Sequence, residues 1–395
     1  MAHGGHCVAR LDGRVIFVRH TLPGETVRVR ITEGDDTSRF LRGDAVEVLV
    51  ASEHRVEPPC PYAGPGRCGG CDFQHVEIAH QRRLKAEVVR EQLTRLARLD
   101  VDATLWDGDG DSAVEPLPGD DEGLRWRTRV EFAVDDEGRA GLRAHRSHEI
   151  VPVDDCLIAD QRVADSGALD TVWTGCTGVD VVAADEPHTA VLVPLPDGRD
   201  RHVVQHVETP AWSGDFRLGA RGFWQAHPGA AAAYVEHVLA ALAPRSGEKL
   251  LDLYAGVGLF ALPLADAVGP EGSVLAVEGH RQAVADGMAN SADRPWVEWR
   301  HGRVDRVLAP IVRRGITADL VVLDPPRTGA GREVCRQLVA LRPRRIAYVA
   351  CDPAALARDT AYLKDSGYRL TSLRAYDAFP MTHHIECIAL FAPPG

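Results

Sequence analysis

The chain has 395 residues, of which 45% are hydrophobic and 26% are charged, a balance typical of a globular protein with two or three domains. No stretch approaches the roughly 18 uninterrupted apolar residues of a membrane span, and the first residues lack the layout of a signal peptide. We therefore expect a cytoplasmic protein without a membrane partner, whose nine cysteines stay reduced. The net charge of −12, taken alone, argues against a nucleic-acid partner.

Positive charge is nevertheless concentrated in a few short segments. These segments cover residues 80–98, 125–129, 138–146 and 342–345. Each of them alone is most simply a solvated surface. Four in one acidic chain favour a local anion-binding face.

Residues 1–56 read as a series of short strands, "RVIFV", "TVRVRIT" and "DAVEVLVASE". Valine and arginine alternate in the second of these, which is the period of a half-buried strand. The pattern predicts a small β-barrel of the OB kind, a fold that often binds single-stranded nucleic acid.

The rest of the chain divides into two further parts. Residues 57–218 are rich in Asp, Gly and Pro with short β-like runs, and predict a mixed, β-rich central domain. Within this part, Val89, Leu93 and Leu96 fall at helical spacing, so we predict a helix over 78–98 that docks on the last domain. In residues 219–395, helices alternate with Val/Leu/Ile-rich strands, which indicates an α/β domain with a parallel sheet.

Three cysteines lie within twelve residues, in "CPYAGPGRCGGC". They are Cys60, Cys68 and Cys71, and Cys156 is a fourth candidate. Thiolates are soft donors, so this set predicts either a zinc ion or an iron–sulfur cluster, and the spacing does not choose between them. The alternative is a loop that carries unrelated cysteines.

A glycine turn joins a strand to a helix in "EKLLDLYAGVGLFALPLADAV". Gly256 and Gly258 let the backbone approach a ligand closely. Glu278 ends the next strand, where a carboxylate can accept both hydroxyls of a ribose. The pattern is not G-x-G-x-x-G, so together with Asp252 it favours S-adenosylmethionine over a nicotinamide cofactor. A purely structural turn is the alternative.

Two later strands end in reactive side chains, Asp324 in "LDPPRTG" and Cys351 in "YVACDPAALARD". Carboxyl ends of parallel strands share one edge of a sheet, which is where open α/β sheets bind ligands. A helix N-terminus beside Cys351 favours the thiolate, whereas Asp352 opposes it unless its carboxylate caps the helix. A nucleophile and a packing cysteine are both consistent with this position.

The last strand carries a carboxylate, Glu386, between Ile385 and Cys387. A carboxylate in an apolar strand is unfavourable unless it has a polar partner or takes part in catalysis. Burial would raise its pKa toward the range of a general base.

These motifs, with "GFWQ" (222–225) and "FPMTHHIE", resemble the S-adenosylmethionine-dependent RNA 5-methyluridine (uracil-C5) methyltransferases that carry an N-terminal TRAM domain. The resemblance implies a class I, Rossmann-like methyltransferase domain over 219–395 and an OB-like TRAM domain over 1–56. It also implies a [4Fe–4S] cluster in the central domain, held by the four cysteines Cys60, Cys68, Cys71 and Cys156. It further assigns cofactor and uracil-site positions, which are Gln225, Tyr254, Glu278 and Asp324.

The same resemblance implies that Cys351 is the nucleophile and Glu386 the base. RNA is then the expected partner, ribosomal RNA more than transfer RNA, and the protein is expected to be a monomer. The chain departs from the family in a longer first cysteine gap, in "ACDP" where "SCNP" is frequent, and in Met381 where many relatives carry histidine.

Three alternatives stay open at this point. A cytosine-5 methyltransferase uses the same thiol chemistry, although its nucleophile commonly follows a proline and Cys351 follows Ala350. A radical S-adenosylmethionine methylthiotransferase also combines a cluster with a TRAM domain, but its cysteine spacing differs. The third alternative is a non-catalytic, cluster-bearing RNA-binding protein.

Overall fold

The computed structural model describes residues 1–101, 105–106, 114–186 and 201–394, and the backbone of 191–195. The first ten strands are β1 (Cys7–Leu11), β2 (Arg14–Arg19), β3 (Thr26–Glu33), β4 (Phe40–Val50), β5 (Val114–Pro116), β6 (Arg129–Val134), β7 (Ala140–Arg143), β8 (Ile150–Pro152), β9 (Gly178–Val182) and β10 (Val191–Leu195). The others are β11 (His202–Glu208), β12 (Ser213–Gly219), β13 (Lys249–Leu253), β14 (Ser273–Glu278), β15 (Val297–His301), β16 (Leu320–Leu323), β17 (Arg345–Ala350), β18 (Arg369–Asp377) and β19 (Glu386–Ala392).

The helices are α1 (Ile78–Gln92), α2 (Gln161–Ala164), α3 (Ala230–Leu242), α4 (Ala261–Val268), α5 (Arg281–Asn290), α6 (Val304–Arg313), α7 (Gly331–Leu341) and α8 (Pro353–Asp365). A π-helical segment, Leu93–Ala97, extends α1. In the described part of the chain, every helix is too short or too polar to cross a membrane.

The N-terminal sheet has the strand order β1-β2-β4-β3. Its last three strands confirm the strands predicted over this part, and β1 is an addition. Val27 and Val29 are half-buried whereas Arg28 and Arg30 are exposed, which confirms the predicted alternation. Within residues 1–101, β1 and β3 are the outer strands of this sheet. Three irregularities in the β3–β4 register add local twist to the sheet.

The central sheet is antiparallel throughout, in the order β10-β9-β6-β7-β8. Its core includes Trp126, Phe132, Val179 and the sulfur-bearing side chain of Cys156. This confirms the β-rich character that the sequence predicts here.

The large sheet has eight strands in the order β15-β14-β13-β16-β17-β19-β18-β5. Strands β13 to β17 pair in parallel, and β19 inserts antiparallel between β17 and β18. One face packs against α3 and α4, and the other packs against α1, α7 and α8. The predicted doubly covered α/β sheet is therefore confirmed, and its carboxyl edge holds the site described below.

Two segments of the 57–218 range pack with this large sheet. Strand β5 pairs with β18, and Ala86, Val89 and Leu93 of the α1 region lie in the same apolar core as Leu356 of α8. A buried ion pair anchors α1 further, because Lys85 Nζ lies 2.5 Å from Asp377 Oδ1. Both segments therefore contribute to the core of the large sheet.

Several charges of the basic segments are paired within the fold. Lys85 is 2% exposed in its pair with Asp377, and Arg125 makes two hydrogen bonds to Asp155. Arg344 pairs with Glu248 at 2.7 Å, at the amino end of β17 and opposite the edge that bears Cys351. These charges are used within the fold, because a buried charge is stable only when it is paired.

Candidate active site

The register of β17 and β19 brings the predicted nucleophile and base together. Ala350 pairs with Cys387 in this antiparallel ladder, so the next pair in the same register is Cys351 and Glu386. Side chains of directly opposed residues lie about 5 Å apart at Cβ. Asp324 follows β16, whose last residue pairs with Tyr348 of β17. The three predicted side chains therefore converge on one edge.

Glu386 is 4% exposed, and its Oε1 lacks a hydrogen-bond partner among the described residues. Burial raises the pKa of this carboxyl well above its usual range, and the charge of Asp324 adds to the shift. Burial, followed by Glu278, likewise raises the pKa of Asp324 to about 7. A carboxyl that holds its proton weakly near neutral pH is suited to proton transfer.

Cys351 differs from the sequence-based expectation of a stabilised thiolate. Burial, together with the charges of Glu386 and Asp324, raises the pKa of Cys351 to about 12, and Arg327 acts in the opposite direction. Two carboxylates and partial burial outweigh the helix N-terminus. Asp352 does cap α8 as expected, because its Oδ1 accepts a hydrogen bond from the Ala355 amide at 2.7 Å.

Two residues of this edge were not singled out by the sequence. Tyr234 of α3 is fully buried, and in the described structure its hydroxyl has no hydrogen-bond partner. Burial raises the pKa of Tyr234, and the charges of Glu386 and Asp324 contribute next. Arg327 belongs to the recognised "DPPR" segment, whereas nothing in the sequence marked Tyr234.

The glycine turn after β13 is tied to the end of β14. The Gly256 amide donates to Glu278 Oε2 at 2.9 Å, and the His280 amide donates to Oε1 at 2.6 Å. Tyr254 has a φ of +62°, a strained conformation for a bulky residue that is most often found at functional sites. No atom lies within 4 Å of the position a Cβ would take on Gly256, so the turn leaves room for a ligand. These residues fit an adenosine-containing cofactor.

Asp252 and Gln225 flank this turn from the core side. Asp252 is fully buried, and its carboxylate oxygens lack a well-formed hydrogen bond to a described residue, although the nearby Ala261 amide acts to lower its pKa. Burial, then Asp324, raises the pKa of Asp252 well above its usual range. Gln225 is 7% exposed, while Phe223 in the same motif is 73% exposed. The motif is joined to the central domain where the Ala226 carbonyl accepts a hydrogen bond from the Thr128 amide.

The cysteine loop contacts the loop that leads to Glu386. The Met381 carbonyl accepts hydrogen bonds from the amides of Asp72 and Phe73, both at 2.9 Å. His383 Nδ1 lies 2.5 Å from Asp72 Oδ2. Gln81 of α1 also accepts from the Met381 amide at 2.9 Å. The last motif is thereby held by residues directly after Cys71.

The four predicted cysteine ligands are free thiols, of which Cys156 is buried and the other three are half-buried. Burial raises the pKa of Cys71, and the charges of Cys156, Cys68 and Cys60 add to this shift. The Gln74 side-chain amide donates to Cys71 Sγ, and the Gly70 amide donates to Cys68 Sγ, both at 3.4 Å. Across the described ranges, however, no three or more His, Cys, Asp or Glu side chains are arranged to hold a metal ion.

The eight-stranded sheet with its glycine turn defines an S-adenosylmethionine-dependent methyltransferase of the Rossmann-like class. Residues 300–392 match the tRNA (Uracil-5-)-methyltransferase family, and residues 2–46 match the TRAM domain. The chain is 50% identical to an uncharacterized RNA methyltransferase of Streptomyces avermitilis, over 100% of this chain and 96% of that protein. It is 32% identical to the 23S rRNA (uracil(1939)-C(5))-methyltransferase RlmD of Shewanella sp. (strain ANA-3), over 98% of this chain and 93% of that protein.

One solved structure shares the whole architecture. The tRNA (uracil-54, C5)-methyltransferase of Pyrococcus abyssi, in complex with S-adenosyl-L-homocysteine, superposes with a TM-score of 0.68 over 96% of this chain and 97% of that chain. At 21% identity this likeness shows the fold. From its matched domains and its relatives, the chain belongs to the RNA (uracil-5) methyltransferase family. It is an S-adenosylmethionine-dependent RNA methyltransferase.

Proposed function

We propose that this protein methylates C5 of a uridine in 23S ribosomal RNA through a covalent adduct between Cys351 and C6 of the uracil. The observation that carries the proposal is the β17–β19 ladder, which ends at the pair Ala350 and Cys387, directly before Cys351 and directly after Glu386. A thiol and a buried carboxyl at one sheet edge are the two groups that this chemistry requires.

Uracil C5 is a poor nucleophile until C6 is attacked. The Cys351 sulfur adds to C6 and the ring electrons move to the C5–C4 enolate, which makes C5 reactive toward an electrophile. The raised pKa of Cys351 means that its proton must pass to solvent as the sulfur adds, and Arg327 is the cation that favours the thiolate. S-adenosylmethionine supplies the electrophilic methyl group and a positive charge when it is bound.

Methylation leaves a saturated ring that still carries a proton on C5. In the proposed mechanism, Glu386 takes this proton, the C5–C6 double bond re-forms, and the Cys351 sulfur leaves C6. The unpartnered Oε1 and the raised pKa of Glu386 support this role. Asp324 would hold the polar edge of the uracil, next to the base.

The residues proposed to bind the cofactor surround the turn after β13. They are Gln225, Asp252, Tyr254, Gly256, Gly258, Glu278 and Asp324. The open space beside Gly256 and the buried carboxylate of Asp252 support this assignment. Glu278 already accepts two backbone hydrogen bonds, but a carboxylate has further lone pairs for ribose hydroxyls.

The proposed RNA is ribosomal, since a relative of known target, the Shewanella RlmD, is named for 23S rRNA. The target uridine must leave its stack to reach the sheet edge, which costs a few kcal/mol and least in a loop. The TRAM domain would hold the surrounding RNA through backbone contacts and shape.

A [4Fe–4S] cluster held by Cys60, Cys68, Cys71 and Cys156 is part of the proposal. Its support is that the charges of the other three thiols act on the pKa of Cys71, and that two N–H groups donate to the sulfurs of Cys68 and Cys71. Iron and acid-labile sulfide should be measured in anaerobically purified protein and in Cys71→Ser. Cys176→Ser, in the same domain but outside the set, is the matched control. Zinc without sulfide, or no metal in the wild type, would contradict the cluster.

The reaction is tested with labelled S-adenosylmethionine and RNA from cells that lack this protein. Ribosomal and transfer RNA are assayed separately, and the labelled nucleoside is identified by mass spectrometry. Label in 5-methyluridine of 23S rRNA is expected. Label in transfer RNA would contradict the target, and label in 5-methylcytidine would contradict the acceptor. Cofactor binding without transfer to either RNA would favour a non-catalytic RNA-binding role.

The two catalytic assignments are tested by separate variants. Cys351→Ala should abolish turnover and leave S-adenosylmethionine binding nearly intact. Glu386→Gln should accumulate a protein–RNA adduct that survives denaturing electrophoresis. Cys176→Ala is the control for cysteine removal. Turnover by Cys351→Ala, or absence of an adduct with Glu386→Gln, would contradict the respective role.

A further inference from the structure

The first six residues of the chain form a tight turn that rests on the catalytic edge. The Ala2 amide donates to the His6 carbonyl at 2.7 Å, and the Gly5 amide donates to the Ala2 carbonyl at 3.2 Å. Gly4 and Gly5 have φ angles of +91° and +75°, which favour glycine. The sequence "HGGH" is therefore suited to this turn, which carries His3 beside Gly4.

His3 reaches the residue that follows the proposed nucleophile. Its Nε2 lies 3.0 Å from Asp352 Oδ2, while the other oxygen of Asp352 caps α8 at the Ala355 amide. The side chains of His3 and Asp352 are 39% and 21% exposed, so the pair is partly shielded from water. Both oxygens of this carboxylate are thus engaged, one by a helix and one by the N-terminal turn.

The same turn also touches the loop that leads to the proposed base. A Cβ placed on Gly5 would come within 2.8 Å of His383 Cβ, so the backbone of the turn packs tightly against this loop. The N-terminal turn therefore contacts segments adjoining both Cys351 and Glu386, although it is more than 340 residues from either one in the sequence.

We propose that His3 is a positioning residue for the nucleophile: it holds the Asp352 carboxylate and offsets the negative charge that this carboxylate places beside Cys351. This inference rests on the proposed role of Cys351. An acid next to a thiol disfavours the thiolate, and a cation on that acid reduces the effect. A neutral asparagine at position 352 would place no negative charge beside Cys351, so it would not need His3 to offset one.

The electrostatic surroundings agree with the proposal. The Asp352 hydrogen bond raises the pKa of His3; Arg358 opposes the shift and Glu91 supports it. Burial alone would raise the pKa of Asp352. The hydrogen bonds from His3 and from the Ala355 amide outweigh burial, so the pKa of Asp352 is lowered. His3 and Asp352 therefore favour the charged pair. The largest effects of charge on Cys351 itself come from Glu386, Asp324 and Arg327. In the proposal, the adjacent carboxylate of Asp352 adds a smaller effect, which the alkylation test isolates.

The test measures the reactivity of the Cys351 thiol in protein that carries neither RNA nor S-adenosylmethionine. The rate of alkylation by iodoacetamide is followed across pH, and the Cys351 peptide is quantified by mass spectrometry. His3→Ala should slow alkylation of Cys351 at neutral pH by about two- to fivefold, the size expected for a partly exposed ion pair. His206→Ala is the matched control, because it removes a histidine 2.7 Å from Asp215 on the distant β11–β12 hairpin.

The Asp352→Asn variant tests whether His3 acts through Asp352. In Asp352→Asn, the further change His3→Ala should have no effect on the alkylation rate, since no carboxylate is left to offset. His3→Gln keeps a hydrogen-bond donor on the turn without the charge, and it should show most of the slowing. Gly5→Ala should slow alkylation in the same direction by displacing the turn.

An alkylation profile of His3→Ala equal to that of the wild type would overturn the proposal. A slowing that persists in the Asp352→Asn background would also overturn it, because His3 would then act through another group. These results do not depend on turnover. A failure of the proposed methylation is seen instead in the RNA assay, so the two outcomes are distinguishable.

Discussion

Asp72 Oδ2 lies 2.5 Å from Nδ1 of His383 and also accepts from its backbone amide at 3.2 Å. Asp72 directly follows Cys71, and His383 lies three residues before Glu386. The cysteine loop is therefore joined by side chains, as well as by backbone hydrogen bonds, to the segment that presents the proposed base. The central domain thus supports the catalytic edge directly.

Asp72→Ala should lower kcat by about tenfold, because small displacements of a catalytic group reduce its efficiency. The loss should appear in kcat more than in KM for S-adenosylmethionine, since the turn after β13 is unchanged. Steady-state kinetics on the RNA substrate measures both. Asp135→Ala, which removes a carboxylate from the β6–β7 turn, is the control. Unchanged kcat in Asp72→Ala would show that this contact does not position Glu386.

The buried pair of Lys85 and Asp377 should matter for folding. Lys85→Met leaves Asp377 with Arg82 as its remaining cation, at 3.1 Å. Loss of one partner of a buried pair costs about 3 kcal/mol or more of unfolding free energy. Chemical denaturation measures this change. Arg336→Ala, which removes an exposed pair with Glu333, should cost less than about 1 kcal/mol. Equal effects of the two changes would contradict the structural role of Lys85.

Asp324→Asn should stabilise the ligand-free protein, in a pH-dependent manner. The pKa of Asp324 is raised to about 7 in the folded state, above its ordinary value, by burial and Glu278. Its contribution to stability is therefore fully present below the ordinary carboxyl pKa, and it is lost as the pH rises through about 7. The variant should have a higher Tm than the wild type at about pH 8 and a similar Tm at about pH 4.5. A Tm difference independent of pH would contradict this assignment.

Gly256→Ala tests whether the space beside the glycine turn belongs to the cofactor. The protein leaves this space open, and a φ of +57° is accessible to alanine at a cost of about 1 kcal/mol. The variant should fold and bind S-adenosylmethionine at least about tenfold more weakly, because the methyl group would displace the ligand. Isothermal titration measures the affinity. Gly315→Ala has a similar φ of +68° and open surroundings outside the site, and it should bind normally. Equal affinities in both variants would place the cofactor elsewhere.

Local patterns predicted much of the secondary structure. The alternation in "TVRVRIT" identified β3, and the apolar runs before "DPPR" and "CDP" identified β16 and β17. These features depend on neighbouring residues alone, since strand periodicity and helix capping are local. The order of the strands in the N-terminal sheet, by contrast, depends on pairing between separate segments, which no single strand's sequence specifies.

The electrostatics of the site needed the assembled structure. The sequence placed Cys351 beside a helix N-terminus, but the carboxylates that raise its pKa come from β19 and from the end of β16. The basic residues of 78–98 suggested a nucleic-acid surface, yet Lys85 is buried against Asp377. A pKa depends on every charge within a few ångströms, and these charges come from distant parts of the chain.

The sequence by itself determined the family, the order of the motifs and the side chains that are proposed to carry the chemistry, because each motif is contained in a short segment. Only the tertiary structure decided what surrounds them: Tyr234 beside the proposed base, Asp72 on the catalytic loop, and His3 on Asp352. The physical reason is that such contacts arise between segments hundreds of residues apart, whose proximity follows from sheet order and packing and leaves no local signal in the sequence.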